Sequence, residues 1–142
     1  MESRTGGCIC RSVRYSVVGE PKRITICHCK WCQQRTGTAF GVEVVFDDSQ
    51  INFTGDTLSN YRHISDESGR WVDQHFCSEC GVNVGLTLEA VPGIRSISVG
   101  TFDDPLWVEN KKYIRRHVFT RSARSWSVIP ENAEVYEAHF RT

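Results

Sequence analysis

Several things are scarce in this 142-residue chain. Net charge is absent, with 17 Lys and Arg against 17 Asp and Glu. The sequence therefore lacks the cationic excess of domains that bind nucleic acid through bulk electrostatics. No uninterrupted apolar run approaches the roughly 18–20 residues that cross a bilayer. The opening Met1-Glu2-Ser3-Arg4-Thr5 is without the apolar stretch of a secretory signal. The expectation is a soluble, cytoplasmic protein with no membrane partner. Nor is the chain poor in apolar residues as a disordered coil is: 39% are apolar and 24% charged, enough for one packed core. Residues 1–142 make an ordinary length for a single domain.

What the chain has in excess is cysteine: Cys8, Cys10, Cys27, Cys29, Cys32, Cys77 and Cys80. Seven is odd, so disulfides alone cannot use them all. Scattered at random, they would give about 0.3 pairs at separation two and about 0.3 at separation three. The chain has two of each: Cys8-Ile9-Cys10 and Cys27-His28-Cys29, then Cys29-Lys30-Trp31-Cys32 and Cys77-Ser78-Glu79-Cys80. A disulfide gains nothing from tight triplets. A zinc ion needs several thiolates converging at about 2.3 Å, and short turns deliver them two at a time.

The pairs Cys8/Cys10 and Cys77/Cys80 can close one tetrahedral four-sulfur shell, which leaves Cys27, Cys29 and Cys32 as a local trio. Structural zinc sites are usually closed by four protein ligands and catalytic ones keep a position open, so four plus three suggests one structural and one reactive metal. Iron suits tetrahedral sulfur sites too. Two alternatives stand beside this reading. A redox dithiol is one, for a single C-x-x-C such as Cys77/Cys80. The other is that a histidine closes the second shell, with His28, His63, His75, His117 and His139 as candidates, and that both sites only hold the fold. His28 fits poorly, because in an extended Cys-His-Cys segment its side chain points opposite to its neighbours'.

Period-two alternation recurs along the chain: Val13/Tyr15/Val17, Ile24 to Cys27, Val42 to Phe46, Ile51 to Phe53, Trp71 to Cys77, Val82/Val84/Leu86/Leu88, Ile97/Val99 and His117 to Thr120. Gly-containing breaks fall between these runs, at Gly6-Gly7, Gly19-Glu20-Pro21, Gly55-Asp56, Ser68-Gly69 and Pro92-Gly93. The pattern predicts an all-β domain of short antiparallel strands. Helix is expected only near Lys30 to Arg35 and over Leu106 to Tyr113.

These residues carry a resemblance. Gly7-Cys8-Ile9-Cys10 with Val13-Arg14-Tyr15, Cys27-His28-Cys29-Lys30-Trp31-Cys32 with Gly37-Thr38-Ala39-Phe40, and Phe76-Cys77-Ser78-Glu79-Cys80-Gly81 form its main part. Gly100-Thr101-Phe102-Asp103-Asp104-Pro105, His117-Val118-Phe119 and Trp126 extend it. Over residues from Gly6 to about Trp126 the chain resembles the glutathione-dependent formaldehyde-activating enzymes, a family that also includes centromere protein V. The resemblance implies an all-β "β-tent" fold around two zinc ions, with Cys8, Cys10, Cys77 and Cys80 holding a structural zinc and Cys27, Cys29 and Cys32 a catalytic one. It implies a carbon–sulfur lyase that adds glutathione to formaldehyde reversibly, giving S-hydroxymethylglutathione. One departure is Arg11, where the family usually has a glycine free to take positive φ.

A zinc held by three thiolates carries a formal charge of −1 and is a poorer Lewis acid for water than one held by neutral histidines. It is a good soft site for another sulfur. A small thiol and a small aldehyde are the expected partners. Gly37-Thr38-Ala39 can let a peptide-like thiol approach, or be a simple tight turn. Lys111, Lys112, Arg115, Arg116, Arg121 and Arg124 offer carboxylate partners for glutathione or, more simply, a solvated charged face. The same stretch, with Trp107, Trp126, Phe119 and Phe140 as stacking surfaces, supports the alternative of a zinc-stabilised module that binds nucleic acid or protein without catalysis. Asp103 and Asp104 read first as turn or helix-capping residues rather than as an acid/base pair.

Overall fold

The computed structural model describes residues 1–139. In chain order the strands are β1 (Ser3–Gly7), β2 (Arg14–Val18), β3 (Arg23–Cys27), β4 (Gly41–Asp47), β5 (Ile51–Thr54), β6 (Leu58–Ile64), β7 (Trp71–Cys77), β8 (Asn83–Leu88), β9 (Ile94–Ser98), β10 (Arg115–Val118) and β11 (Glu134–Val135). The one α-helix among the described residues, α1 (Lys30–Thr36), joins β3 to β4. Strands β1, β2 and β5 make a three-stranded antiparallel sheet, and the other eight follow the order β11-β10-β3-β4-β9-β8-β7-β6. The all-β expectation holds, with one addition: β10 runs parallel to β3, and β11 parallel to β10. Among the described residues no helix is long and apolar enough to cross a membrane.

The alternation read from the sequence builds the core. Tyr15 and Val17 of β2 face inward together with Ile24 and Ile26 of β3, Val44 and Phe46 of β4, and Ile97 of β9, joined by Phe102 and Val108. Both sheets contribute to this cluster, so the apolar layer lies between them. Two smaller clusters contain the cysteines. Cys8 and Cys77 pack with Val13 and Val84, and Cys27 and Cys32 pack with Val118.

Where pattern and structure differ, a physical reason is visible. Gly6-Gly7, read as a break, belongs to β1, because the strand runs too close to its neighbours for a side chain: a Cβ on Gly6 would lie 2.3 Å from the Tyr15 hydroxyl. β6 escaped the reading because it is a mostly polar edge strand. The helix expected over Leu106 to Tyr113 is a single 3₁₀ stretch, Pro105–Glu109. It is cut short at Asn110, whose side chain accepts a hydrogen bond from Lys112 N at 2.9 Å and turns the chain. Val99 lies in a 3₁₀ turn rather than a strand, and β10 ends at Val118 because Phe119 takes φ 55°.

The large sheet curls. Five pairings separate β3 from β6, about 24 Å across a flat sheet. Yet Trp31 of α1, which follows β3, stacks on His63 of β6 with ring centroids 5.4 Å apart. Arg121, just beyond β10, pairs with Glu67 in the β6–β7 loop at 3.0 Å. The far edge of the sheet therefore bends back over the trio's helix.

Gly55 holds φ +98° in the turn between β5 and β6, where a Cβ would sit 1.9 Å from the Ser12 carbonyl oxygen. Gly55→Ala is expected to lower the unfolding free energy of the metal-loaded protein by more than about 2 kcal/mol in urea titrations. An unchanged midpoint would show that the turn can move aside.

Candidate metal centre

The chain brings its cysteines together as the spacing separates them, in a set of four and a set of three. Cys8, Cys10, Cys77 and Cys80 have sulfurs within 4.8 Å of one another, and so do Cys27, Cys29 and Cys32. Cys8 and Cys10 lie just past β1, Cys77 ends β7, and Cys80 lies in the turn before β8, so the first set joins the small sheet to the large one. Four sulfurs at 2.3 Å from one ion stand about 3.8 Å apart at the corners of a tetrahedron. The Cys8–Cys10 and Cys10–Cys77 sulfurs are 3.6 and 3.7 Å apart, well beyond the bonding distance of a disulfide.

Donors surround these sulfurs. The Val13 N–H donates to Cys8 Sγ and the Glu79 N–H to Cys77 Sγ, each at 3.3 Å, and the Ser12 hydroxyl lies 2.7 Å from Cys10 Sγ. The Cys77 thiol is pulled down to about 5, first by the Thr57 hydroxyl and then by backbone N–H groups of Cys80 and Glu79. Such contacts favour the thiolate form that a metal binds. The turn that carries Cys10 keeps the positive φ expected of glycine although Arg11 occupies it, at φ 67°. Its N–H donates to Cys8 O at 3.2 Å.

The trio is built by one helix start. Cys27 is the last residue of β3, Cys29 caps α1 in an extended conformation, and Cys32 lies in the helix's first turn. The Cys32 N–H donates to Cys29 Sγ at 3.3 Å. Hydrogen bonds from the Cys27 and Cys32 thiols hold the Cys29 thiol well below its ordinary value. Donating to Cys29 and Cys32, together with burial, pushes Cys27 up. Cys29 is therefore the sulfur that ionises first. Cys27 and Cys32 are buried, whereas Cys29 is half-buried, and Trp31, Phe119 and Tyr136 pack around the group.

No histidine nitrogen joins the trio within that spacing among the described residues. His28 is fully buried against Phe40 and His117, with its Nε2 2.9 Å from His117 Nδ1. His63 stacks on Trp31, and His75 Nε2 lies 3.0 Å from the Thr87 hydroxyl. Burial, and secondarily Arg95, lowers His75 to about 4. Burial also lowers His28 and His117.

The other candidates resolve into structure. Gly37, at φ 71°, closes α1 by donating its N–H to Gln33 O, which is the tight-turn reading of Gly37-Thr38-Ala39. Asp104 caps the 3₁₀ stretch by accepting from Leu106 N at 3.0 Å. Asp103 is held down to about 2, first by the Arg14 guanidinium and then by the Thr5 hydroxyl. Much of the cationic stretch is internally paired: Lys112 with Glu20, Arg116 with Glu134 and Arg121 with Glu67. Arg115 donates to the carbonyls of Asn110, Val108 and Tyr113. Trp107 and Phe119 are half-buried against the apolar clusters, Trp126 is exposed, and Phe140 lies outside the described residues. A feature that pattern reading missed is a buried ion pair behind the trio, Arg35 to Glu43 at 2.7 Å. Burial raises the Glu43 carboxyl above the usual glutamate value, and Arg35 opposes this.

Fold and site together define a β-sheet protein with two cysteine clusters, each able to hold a metal ion. The model of the family described as glutathione-dependent formaldehyde-activating enzyme matches residues 3–122, and the chain belongs to that family. The fold is similar to the crystal structure of a Rhodobacter sphaeroides protein from structural genomics, with a TM-score of 0.56. That similarity covers 75% of this chain and 95% of the other at 16% identity. No curated protein matches the sequence.

Each set has its own expected response to the loss of a sulfur. Cys10→Ala should abolish metal uptake at the four-sulfur set alone and cost several kcal/mol of stability, since it opens a clip between distant segments. Cys29→Ala should abolish it at the trio alone, with a much smaller fall in melting temperature, because its set spans only Cys27 to Cys32. Elemental analysis and thermal melts check both. Equal destabilisation by the two substitutions would contradict the division.

Proposed function

We propose that this chain is a zinc-dependent enzyme of the cytoplasm that forms and cleaves carbon–sulfur bonds, adding a thiol such as glutathione to a small aldehyde such as formaldehyde. One observation carries the reading: beside a set of four sulfurs stands a set of three that no further Cys, His, Asp or Glu completes among the described residues. Cys8, Cys10, Cys77 and Cys80 would hold the structural zinc, and Cys27, Cys29 and Cys32 the catalytic one. Family membership supports the same chemistry, glutathione and formaldehyde being the compounds in the family's description.

A zinc ion held by Cys27, Cys29 and Cys32 would supply a soft position suited to sulfur, which would lower the proton affinity of a thiol there. Cys27 and Cys32 act as the buried anchors, fixed by β3 and by the first turn of α1, while half-buried Cys29 stands on the side open to solvent. Trp31 and Phe119 flank the sulfurs and limit the water that reaches them. The thiol loses its S–H proton, its sulfur bonds to the carbonyl carbon, and the former carbonyl oxygen ends as the hydroxyl, RSH + HCHO giving RSCH₂OH. Proton and electron pair both stay within the adduct, so no external acid, base or oxidant is consumed.

The decisive measurement is the rate of adduct formation above the uncatalysed reaction, followed by loss of free thiol. Cys29→Ala, retaining its other zinc, is expected to bring that rate down to the uncatalysed level, a loss of at least about a hundredfold. Unchanged turnover in a variant that holds one ion would sink the proposal.

A further inference from the structure

Arg35 has an environment that packing alone does not explain. Its side chain is 0% exposed and that of its partner Glu43 is 5% exposed. A buried ion pair is a poor source of stability, since apolar residues of similar volume often replace one without loss. The pair is nevertheless closely fitted to the trio. Arg35 stands one helical turn after Cys32, on the same face of α1. Its Nη2 donates to Glu43 Oε1 at 2.7 Å and to Cys32 Sγ at 3.7 Å. Its Nη1 donates at 2.6 Å to the Asn83 amide oxygen, in the amide orientation that also serves the His75 and Gly85 carbonyls. The guanidinium lies 5.3 Å from the centre of the Trp31 ring.

Space for this group is made by the strand beneath. Gly41 is the partner of Cys27 in the β3–β4 register, and a Cβ on it would fall 2.5 Å from Arg35 Nη2. A glycine in a strand often marks such a close approach. The cation is thus seated over Gly41 of β4, the register partner of Cys27, with its Nη2 shared between Glu43 Oε1 and Cys32 Sγ.

We infer that Arg35 is a positioning residue for the three-sulfur site, whose fixed charge beside Cys32 Sγ withdraws electron density there and makes room electrostatically for a further anionic sulfur. The inference rests on the reading of the trio as a metal site. A divalent ion with three thiolates has a formal charge of −1, and an incoming thiolate makes it −2. A guanidinium donating to one of the sulfurs offsets part of that charge, through a fork that cannot deprotonate. Glu43 and Asn83 fix its orientation, as carboxylate and amide partners fix the ligands of other metal sites.

The test uses the full chain loaded with cobalt(II), whose absorption bands report the coordinating atoms, and titrates glutathione into it. The closed four-sulfur set has no position for an added thiol, so the spectral change reads the trio, while chelator competition reads both ions. The variant Arg35→Gln/Glu43→Gln removes both charges and keeps hydrogen-bonding groups. It is expected to weaken metal at the trio by 10–100-fold and to raise the glutathione half-saturation about tenfold, leaving the other ion unchanged. Arg35→Lys should recover part of the loss. Gly41→Ala, which keeps both charges but displaces Nη2, should move the half-saturation the same way. Wild-type values in both the double variant and Gly41→Ala, or loss of both ions together, would overturn the inference. A wild-type trio that takes up neither cobalt nor thiol would instead overturn the underlying reading of the site.

Discussion

The convergence of sulfurs at two points is the constraint on which the rest of the chain depends. The two sheets share one apolar layer, and the Cys8/Cys10/Cys77/Cys80 set ties the segment after β1 to the end of β7. Backbone features that cost free energy gather around it. Arg11 takes a left-handed conformation beside Cys10, Gly55 turns against Ser12, and Gly6 passes close under the Tyr15 hydroxyl. Each departs from the ordinary behaviour of a strand or turn. Together they let the first cysteine pair reach the end of β7.

The trio obeys a different logic. It is assembled locally, by a strand end and the first turn of a helix, and its neighbours are what distinguish it. Aromatic rings pack around the half-buried sulfur of Cys29, and a polar network of Arg35, Glu43 and Asn83 meets Cys32. Hydrogen bonds among the three sulfurs separate them, favouring the thiolate at Cys29 and, with burial, the thiol at Cys27. A site of this kind is asymmetric before any ligand enters it.

The two cysteine groups were legible in the sequence because short-range spacing is a local property, and a C-x-C or C-x-x-C forces its sulfurs onto one side of a turn. Alternation likewise revealed β2, β4 and β7, which each bury at least one residue of the inward face. What escaped were features set by distant contacts. β1 hid behind two glycines, β6 behind its polarity as an edge, and the parallel pairing of β3 with β10 has no sequence signature of its own. Arg35–Glu43 left a single trace: a carboxylate set among Val42, Val44, Val45 and Phe46 in the middle of a strand. Nothing in that pattern says which cation answers it, because helix α1 and the strand meet only in the folded chain.

The parallel pairing also has a consequence in time. β10 lies against β3 with Arg115 opposite Ile24, yet it is made 83 residues after Cys32 (115 − 32). At synthesis rates of about 5–20 residues per second, the completed trio waits roughly 4–17 s before the strand that shelters it exists. During that interval three neighbouring thiols are exposed on the nascent chain, open to oxidants and to whatever ions the cell offers. Early capture of a metal by Cys27, Cys29 and Cys32 would then protect the sulfurs as well as prepare them.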